Sequence, residues 1–289
     1  MPISARPRVV SLLPGATEMV VAMGGRDQLV GISHECDWPP DITSLPRVTT
    51  TPIDPRLGSG AIHVAVQQAV AAGRAVIGVD AEALRALAPD VIVTQMLCDV
   101  CAVADGEAMR LAQAMAPPPQ VISLNGGTLA GVREDIRRLG SAIGRGAEAA
   151  AVAAALTEMV RVDQARNGRG QRPRVVAIEW LDPLFLAGHW VPEMIAAAGG
   201  IDVGATAGSH SVVREWSDII ALDPDLVLVI LCGFGLERAR AELAALDGTV
   251  AGAWLASRRV VVLDGNAFTS RPGPRLVDGI RQMAAAFRE

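Results

Sequence analysis

The feature that most constrains the fold is a weak internal repeat. Residues 18–27 recur as residues 193–202, with a Gly-Gly pair at the same place in both copies. A second pair follows in the same order, because residues 87–98 recur as residues 222–232, each with a Pro-Asp step before an apolar run and a Leu-Cys step after it. Two strings repeated in the same order predict two similar lobes rather than one continuous domain.

Each half of the chain alternates short β-rich runs with helical segments. The β-rich runs of the two halves are residues 8–12, 29–33, 91–94, 174–178, 226–230 and 259–263. This alternation predicts an α/β fold of two Rossmann-like lobes with parallel sheets. Thr17 is predicted to cap the first helix, and Gly24 with Gly25 to end it.

A helical tract lies between the halves, at residues 129–166. Its apolar residues fall at the helical spacing, namely Leu129, Val132, Ile136, Leu139 and Ile143. A continuous helix of this length would reach roughly 55 Å, and it would join the lobes as a stiff backbone. The alternative is two surface helices divided near Gly144 and Gly146. The predicted domains are residues 8–127, 128–171 and 172–289.

Composition and charge exclude several classes of function. The chain is 51% hydrophobic and 20% charged, which is typical of a globular protein. A net charge of −5 argues against nucleic-acid binding. No apolar stretch is long enough to insert into a membrane. The first residues do not resemble a secretion signal, so a cytoplasmic location is expected, and a periplasmic one only if a leader is missing from the sequence.

Cysteine and histidine residues follow the predicted strands, where ligands bind in open parallel sheets. Thiolates with imidazole favour zinc or an iron–sulfur cluster. The predicted metal ligands are His34, Cys36, Cys98, Cys101 and Cys232. The alternative is that the cysteines are small buried hydrophobic residues, and that the histidine is an ordinary hydrogen-bonded side chain.

Aromatic and basic residues in the same loops are candidates for holding an organic ligand. Tryptophan rings can stack on a flat molecule, a histidine can bind a cofactor's central metal, and arginines can bind carboxylate, amide or phosphate groups. The predicted ligand-binding residues are Trp38, Trp180, His189, Trp190, Arg271 and Arg275. The alternative is that the tryptophans close the seam between the lobes and the arginines order the last loop. No catalytic residue is predicted.

Several of these motifs, taken in order, resemble a known family. They are Ser-Leu-Leu-Pro-Gly-Ala-Thr-Glu at residues 11–18, the first Gly-Gly pair, Leu-Val-Gly-Ile-Ser at 29–33, Pro-Asp-Val-Ile-Val at 89–93, and the second Gly-Gly pair. This order is similar to the cobalamin and iron-complex receptors of ABC importers, over about residues 8 to 285. The loops around Cys36 and Cys98 resemble a cytoplasmic, cobalamin-binding-protein-like branch of that superfamily.

The resemblance implies a fold and a function. Receptors of this kind have two α/β lobes joined by a helical backbone, hold cobalamin or another metal complex between the lobes, and carry out no catalysis. Their partner is an ABC permease, which they contact through one acidic side chain on each lobe. Glu18 and Glu193 stand at the matching motif positions and are the predicted docking residues.

Three hypotheses about function therefore stand side by side. The first is a non-enzymatic binding protein for a corrinoid or another metal complex. The second is a protein in which the cysteines themselves bind zinc or an iron–sulfur cluster. The third is a thiol redox enzyme that uses Cys98 and Cys101, because a Cys-x-x-Cys pair after a strand can have a lowered thiol pKa.

Overall fold

The computed structural model describes residues 6–96, 105–167 and 172–288, and its first lobe is built on a parallel four-stranded sheet. The elements of this lobe are β1 (Val9–Ser11), α1 (Pro14–Ala22), β2 (Leu29–Ile32), β3 (Thr49–Thr50), α2 (Ser59–Ala71), β4 (Gly78–Val79), α3 (Ala81–Ala86), β5 (Val91–Gln95), α4 (Asp105–Gln113) and β6 (Gln120–Leu124). The sheet runs in the order β2-β1-β5-β6, while β3 and β4 form a separate antiparallel pair. The central strands are buried throughout their apolar runs, as expected for a sheet covered on both faces.

The second lobe repeats this plan with additional strands. Its elements are β7 (Arg174–Leu181), β8 (Leu184–Leu186), α7 (Val191–Ala197), β9 (Ile201–Asp202), β10 (Val212–Val213), α8 (Trp216–Ala221), β11 (Leu226–Val229), α9 (Leu236–Ala244), α10 (Val250–Ala256), β12 (Arg259–Val262), α11 (Gly265–Phe268) and α12 (Leu276–Ala286). The parallel strands run in the order β9-β7-β11-β12, and β8 and β10 extend the sheet as antiparallel strands beside β7. The parallel order is the same as that of the first lobe.

The sequence repeat has the same structural basis in both lobes. Arg8 donates its backbone N–H to the Asp90 carboxylate at 2.8 Å and its guanidinium to the carbonyl of Leu87 at 2.8 Å. Arg174 makes the same two bonds in the second lobe, at the same lengths, with the second copies of these residues. The Pro-Asp motif therefore ties the first strand of each lobe to the loop that enters a neighbouring strand.

Left-handed backbone conformations also recur at matching positions. Ala88 and Asp223, which precede the proline of each Pro-Asp motif, have φ angles of 41° and 44°. Gly24 and Gly199 have φ angles of 73° and 94° after the first helix of each lobe. Glycine adopts this conformation without strain and is typical of a helix end. The predicted duplication and the predicted helix ends are thus present in the structure.

The tract between the lobes is helical but not continuous. It forms α5 (Leu129–Ala142) and α6 (Gly146–Asn167), with Gly144 between them at a φ angle of 73°. The two helices pack against each other, and α6 also contacts α7 and α12 of the second lobe. Of the two interpretations of the sequence, the one with two helices is therefore observed, and the single helix of about 55 Å is not.

The start of the first helix differs from the prediction. The helix begins at Pro14, whose fixed φ angle suits the first helical position, and Leu13 is the capping residue. Thr17 lies inside the helix, where its hydroxyl donates to the carbonyl of Leu13 at 3.4 Å. The prediction of a Thr17 cap was wrong because the Pro-Gly step belongs to the helix rather than to the loop before it.

Candidate functional site

The loops that follow the parallel strands of the two lobes meet along one seam. Asp37, after β2, accepts a hydrogen bond from the side-chain amide of Asn266, after β12, at 3.1 Å. Gly15, after β1, lies so close to Pro272 that a Cβ atom at residue 15 would be 2.7 Å from the Pro272 carbonyl oxygen. The strand-end loops of the two sheets therefore lie against each other along this seam, and the region between the lobes there is called the cleft below. This is where ligands bind in open α/β sheets.

Arg271 joins the two lobes across this seam. Its side chain is 6% exposed and donates to Glu18 Oε1 at 3.0 Å and to the two carboxylate oxygens of Asp37 at 2.5 and 3.0 Å. It also donates to Asn266 Oδ1 at 2.9 Å and to the backbone carbonyl of Glu35 at 3.4 Å. The guanidinium of Arg271 is thus fully engaged by the protein, and it positions the loop that carries Glu35 and Asp37.

The pKa values in this cluster follow from burial and charge. Burial raises the pKa of Glu18 more than the Arg271 charge lowers it. Burial alone would also raise the pKa of Asp37, but the hydrogen bond and charge of Arg271 outweigh it and lower that pKa. Burial disfavours the Arg271 cation, yet Asp37 and Glu18 raise the pKa of its guanidinium. Arg271 therefore remains a cation that holds the lobes together.

Arg275 lies beside this cluster, between two aromatic rings. Its guanidinium carbon is 4.6 Å from the centroid of the Trp38 ring and 5.0 Å from that of Phe268, which are cation–π distances. The Trp38 side chain is large and half-exposed. A groove of about 450 Å³ adjoins it, lined by Trp38, Phe268, Arg275, Asp278, Arg281 and Gln282. The structure thus brings the predicted residues Trp38, Arg271 and Arg275 together, with Arg275 already stacked on the indole.

The two glutamates of the sequence repeat have equivalent positions at the seam. Glu18 accepts from Arg271 and, at 3.5 Å, from Arg275, which precedes the first turn of α12. Glu193 Oε2 accepts the backbone N–H of Leu129, in the first turn of α5, at 2.6 Å. Glu18 therefore reaches the start of α12, the second helix after β12, through arginine side chains, and Glu193 reaches the start of α5, the helix after β6, through a backbone N–H group. The free N–H groups and the helix dipole at the start of α5 stabilise the Glu193 carboxylate.

The contacts of Glu18 at the seam limit its access to a docking partner such as the expected permease. The Glu18 side chain is 3% exposed, and in this conformation its Oε1 atom is engaged by two arginines. A permease could reach Glu18 only after that ion pair opened. The docking role of Glu18 and Glu193 stays a prediction, while their contacts between the lobes are direct features of the structure.

An aromatic pair lies at the carboxyl end of the second lobe's sheet. Trp180, at the end of β7, packs edge-on against Phe234 with a centroid distance of 5.2 Å. The guanidinium of Arg238 lies 3.5 Å from the centroid of Phe234. Cys232 follows β11, is partly exposed, and donates its backbone N–H to the carbonyl of Glu179 at 2.9 Å. Trp180 and Cys232 thus lie near each other at the carboxyl ends of the neighbouring strands β7 and β11, and their role in ligand binding stays a prediction.

The two predicted histidines have different surroundings. His34 contacts the Thr49 hydroxyl through Nδ1 at 2.6 Å, and burial, followed by the charge of Arg47, lowers its pKa. His189 has a φ angle of 51°, and its ring lies 5.3 Å from that of His210. Burial, followed by the His210 charge, lowers the pKa of His189. Both imidazoles are therefore neutral near neutral pH.

Trp190 does not offer a ring face to a ligand. It is 5% exposed and donates its indole N–H to the carbonyl of Thr269 at 2.8 Å. The ring belongs to the hydrophobic core, next to the start of α7. Its surroundings fit the alternative interpretation, in which this tryptophan packs the interior near the seam.

The cysteines do not form a metal centre in the part of the chain that the structure describes. Cys36 is 1% exposed, and its sulfur lies 3.1 Å from the Thr17 hydroxyl. Burial raises the pKa of the Cys36 thiol to about 11, so the free thiol is protonated at neutral pH. Cys98 and Cys101 lie outside the described residues. Within the described ranges, no three His, Cys, Asp or Glu residues are grouped as metal ligands.

Asn266 and Phe268 belong to the seam although neither was predicted. Both stand in the loop and short helix after β12, the last strand of the second sheet. The only sequence feature that could have indicated them is their position after the β-rich run at residues 259–263. Asparagine and phenylalanine carry no distinctive chemistry in a sequence, whereas the arginines of the same loop do.

Two α/β lobes of the same strand order, joined by helices and facing each other across a seam of strand-end loops, define the class of two-lobed solute-binding proteins. The family described as Periplasmic binding protein matches residues 9–246. The chain belongs to this family.

Individual relatives agree with this assignment. A protein of Halobacterium salinarum named cobalamin-binding protein is 26% identical over an alignment of 286 positions, which covers 97% of this chain and 69% of the relative. Among solved structures, the periplasmic vitamin B12 binding protein BtuF of Vibrio cholerae has a TM-score of 0.69 at 19% identity, covering 99% of this chain and 98% of its own. A periplasmic heme-binding protein from Pseudomonas aeruginosa has a TM-score of 0.72 at 23% identity, covering 97% and 92%.

Of the three hypotheses drawn from the sequence, the family assignment supports the binding protein. The chain is a binding protein and not an enzyme, because the family consists of solute-binding proteins. Neither a thiol redox enzyme nor a protein with cysteine-bound zinc or an iron–sulfur cluster has support from these relatives. The expected cytoplasmic location finds no support either, since the family is described as periplasmic. Among the described helices, none is long and apolar enough to cross a membrane.

Proposed function

We propose that this protein binds a corrinoid in the cleft between its two lobes. The observation that carries the proposal is the relative named cobalamin-binding protein, whose similarity extends over 97% of the chain and so includes both lobes and the seam. The structural neighbours named for vitamin B12 and heme support the wider class, a metal held in a flat organic macrocycle. Such a guest matches a crevice between two sheets better than a small ion does.

The described residues beside the cleft suit a guest of this chemistry. Trp180 is partly exposed and packs against the buried Phe234 ring, so its indole can provide aromatic surface for the apolar body of a corrin. The Glu35 side chain reaches solvent, yet the protein around it desolvates the carboxylate and raises its pKa. A carboxyl group in that position can exchange hydrogen bonds with the amide side chains of a corrinoid. Arg271 contributes indirectly, by fixing the Glu35 loop.

The family also suggests a partner and a compartment. An ABC permease is the partner that an importer's binding protein requires, and the family description favours a location outside the cytoplasm. Both statements are part of the proposal. Ligand binding can be measured on the purified chain in the absence of a permease and of the native compartment.

The proposal is tested by titrating the protein with dicyanocobinamide, cyanocobalamin and hemin. The chain has five tryptophans, so we expect saturable quenching of intrinsic fluorescence by at least one corrinoid at micromolar concentration or below. Equilibrium dialysis provides a second readout that does not depend on optical absorption. Trp180→Leu should raise the dissociation constant by up to about tenfold, because one aromatic contact contributes up to about 1.5 kcal/mol of binding free energy.

Trp216→Phe is the matched control for this titration. Trp216 is likewise partly buried against the second lobe's core and packs against an aromatic ring, that of Trp254, but both residues belong to helices, α8 and α10, rather than to a strand at its carboxyl end, so its replacement should leave the affinity unchanged. If only hemin binds saturably, the proposal that the ligand is a metal-containing macrocycle would stand, and the proposal that it is a corrinoid would be wrong. Absence of saturable binding for all three compounds would contradict the proposed function.

A further inference from the structure

We propose that residues 51–77 form a latched lid over the cleft, and that Glu242 is the latch. This segment, called the strap below, leaves the first lobe between β3 and β4 and contains α2. Its two ends are held together, because β3 pairs with β4 and the Thr51 hydroxyl donates to the carbonyl of Val76 at 2.8 Å. The second lobe has no helix at the corresponding place, between β9 and α8. The strap is therefore an addition to the repeated plan.

The tip of the strap lies on the second lobe. Arg238 of α9 donates to the carbonyl of Leu57 at 2.5 Å. Gly60 packs so closely against Asp182 that a Cβ atom there would be 2.2 Å from the carboxylate oxygen. Ile62 packs against the second lobe's core cluster. The strap thus spans the seam and rests on the β7–β8 turn, where the Trp180 indole N–H donates to the carbonyl of Asp182 at 3.0 Å.

The first turn of α2 is capped by the other lobe. The residue that precedes the helix is Gly58, which has no side chain to accept a hydrogen bond from the free N–H groups. The Glu242 carboxylate accepts the Ser59 backbone N–H at 3.1 Å and the Ser59 hydroxyl at 2.8 Å. A carboxylate is the favoured partner of a helix N-terminus. The order of α2 is therefore coupled to closure of the lobes.

Apart from these contacts with the second lobe, few residues of α2 are buried. Of its thirteen residues only Ser59 and Ala69 are buried. Residues 57–73 contain no Asp, Glu, Lys or Arg, and Val64 and Val70 are among the exposed large hydrophobic residues. A helix with few buried contacts opens more readily than the sheets behind it. An uncharged lid is also compatible with an apolar macrocycle, so the proposed occupant beneath it is the corrinoid of the proposed function, on which this inference rests.

The latch is tested first without any ligand, by hydrogen exchange of the full chain. Glu242→Gln should increase the exchange rate of the amides in the first turn of α2 by roughly tenfold, the usual effect of losing a helix cap. Glu237→Gln is the matched control, because Glu237 lies on the same helix α9, is fully exposed and pairs only with Arg240 in the described structure. Equal exchange in wild type and Glu242→Gln would overturn the latch.

The lid is tested by stopped-flow mixing with dicyanocobinamide. In Glu242→Gln the association and dissociation rate constants should both rise, by a similar factor to the exchange rates, with the melting temperature nearly unchanged. Unchanged binding rates together with increased exchange would overturn the lid and leave Glu242 as a structural cap. A wild-type protein that binds none of the probes would overturn the proposed function and the lid role, while the exchange result would still decide whether Glu242 holds the strap.

Discussion

Replacing Arg271 with alanine is expected to lower the free energy of unfolding by about 3–5 kcal/mol, the usual cost of removing one partner from a buried ion pair. The variant leaves the Glu18 carboxylate buried, with Arg275 at 3.5 Å as its remaining cationic partner in the described structure. Asp37 and the Glu35 loop also lose their anchor. Urea unfolding of the wild type and the variant measures the difference.

The pH dependence of this loss has a definite sign. The folded-state pKa of Glu18 is raised above its ordinary value of 4.5, so Glu18 favours folding most below that value and this contribution is lost as the pH rises through the raised pKa. Removing Arg271 raises the folded-state pKa of Glu18 further, because the Arg271 charge and hydrogen bond lower that pKa in the wild type. The deficit of the variant should therefore shrink as the pH falls toward 4.5, and adding Glu18→Gln should recover part of the stability at neutral pH.

An exposed arginine provides the control for Arg271. Arg240 pairs with Glu237 on the surface of α9, and Arg240→Ala should change the stability by less than about 0.5 kcal/mol. If Arg271→Ala lowered the free energy of unfolding as little as Arg240→Ala, the conclusion that Arg271 holds the lobes together through Glu18 and Asp37 would be wrong.

Gly15→Ala is expected to lower the free energy of unfolding by about 1–3 kcal/mol, the range for overpacking a close contact. The new Cβ atom would lie 2.7 Å from the carbonyl oxygen of Pro272, a backbone atom of the other lobe that cannot rotate away. The lobes must separate locally to admit it. This loss exceeds the gain of up to about 1 kcal/mol that alanine brings to a helix.

Gly146→Ala is the matched control for this substitution. Gly146 also lies at the start of a helix, α6, but no atom lies within 4 Å of its added Cβ. That variant should be neutral or more stable than the wild type in the same urea experiment. A Gly15→Ala protein as stable as Gly146→Ala would show that the lobes are not in the contact described here.

The fold was largely predictable because the repeat is local and strongly patterned. The strand at Val91–Gln95 and its partner at Leu226–Val229 follow from apolar runs after a Pro-Asp step, and both ends lie within one residue of the prediction. The strap was not predicted. Its helix is uncharged and mostly exposed, and its N-terminal cap is a side chain from the other lobe. A cap supplied from so distant a residue leaves no local signal in the sequence.

The site was predictable in location but less so in chemistry. Strand-end position predicted that Trp180, Cys232 and Arg271 would lie at or after the carboxyl ends of the strands, where the structure has them, and their role in binding a ligand stays a prediction. Residue type alone did not show that Cys36 would be buried against Thr17, with its pKa raised to about 11. It also did not show that the acceptors of the arginine cluster would be carboxylates from the other lobe, because such pairings depend on tertiary packing.

The central claim is that both lobes enclose one guest in the cleft. Hydrogen exchange with and without saturating dicyanocobinamide tests it most directly. The structure predicts slower exchange in residues 33–38 of the first lobe and in residues 231–235 of the second, with no change in residues 146–156 of α6. Protection confined to one lobe, or protection of neither loop while the compound is bound, would contradict the claim.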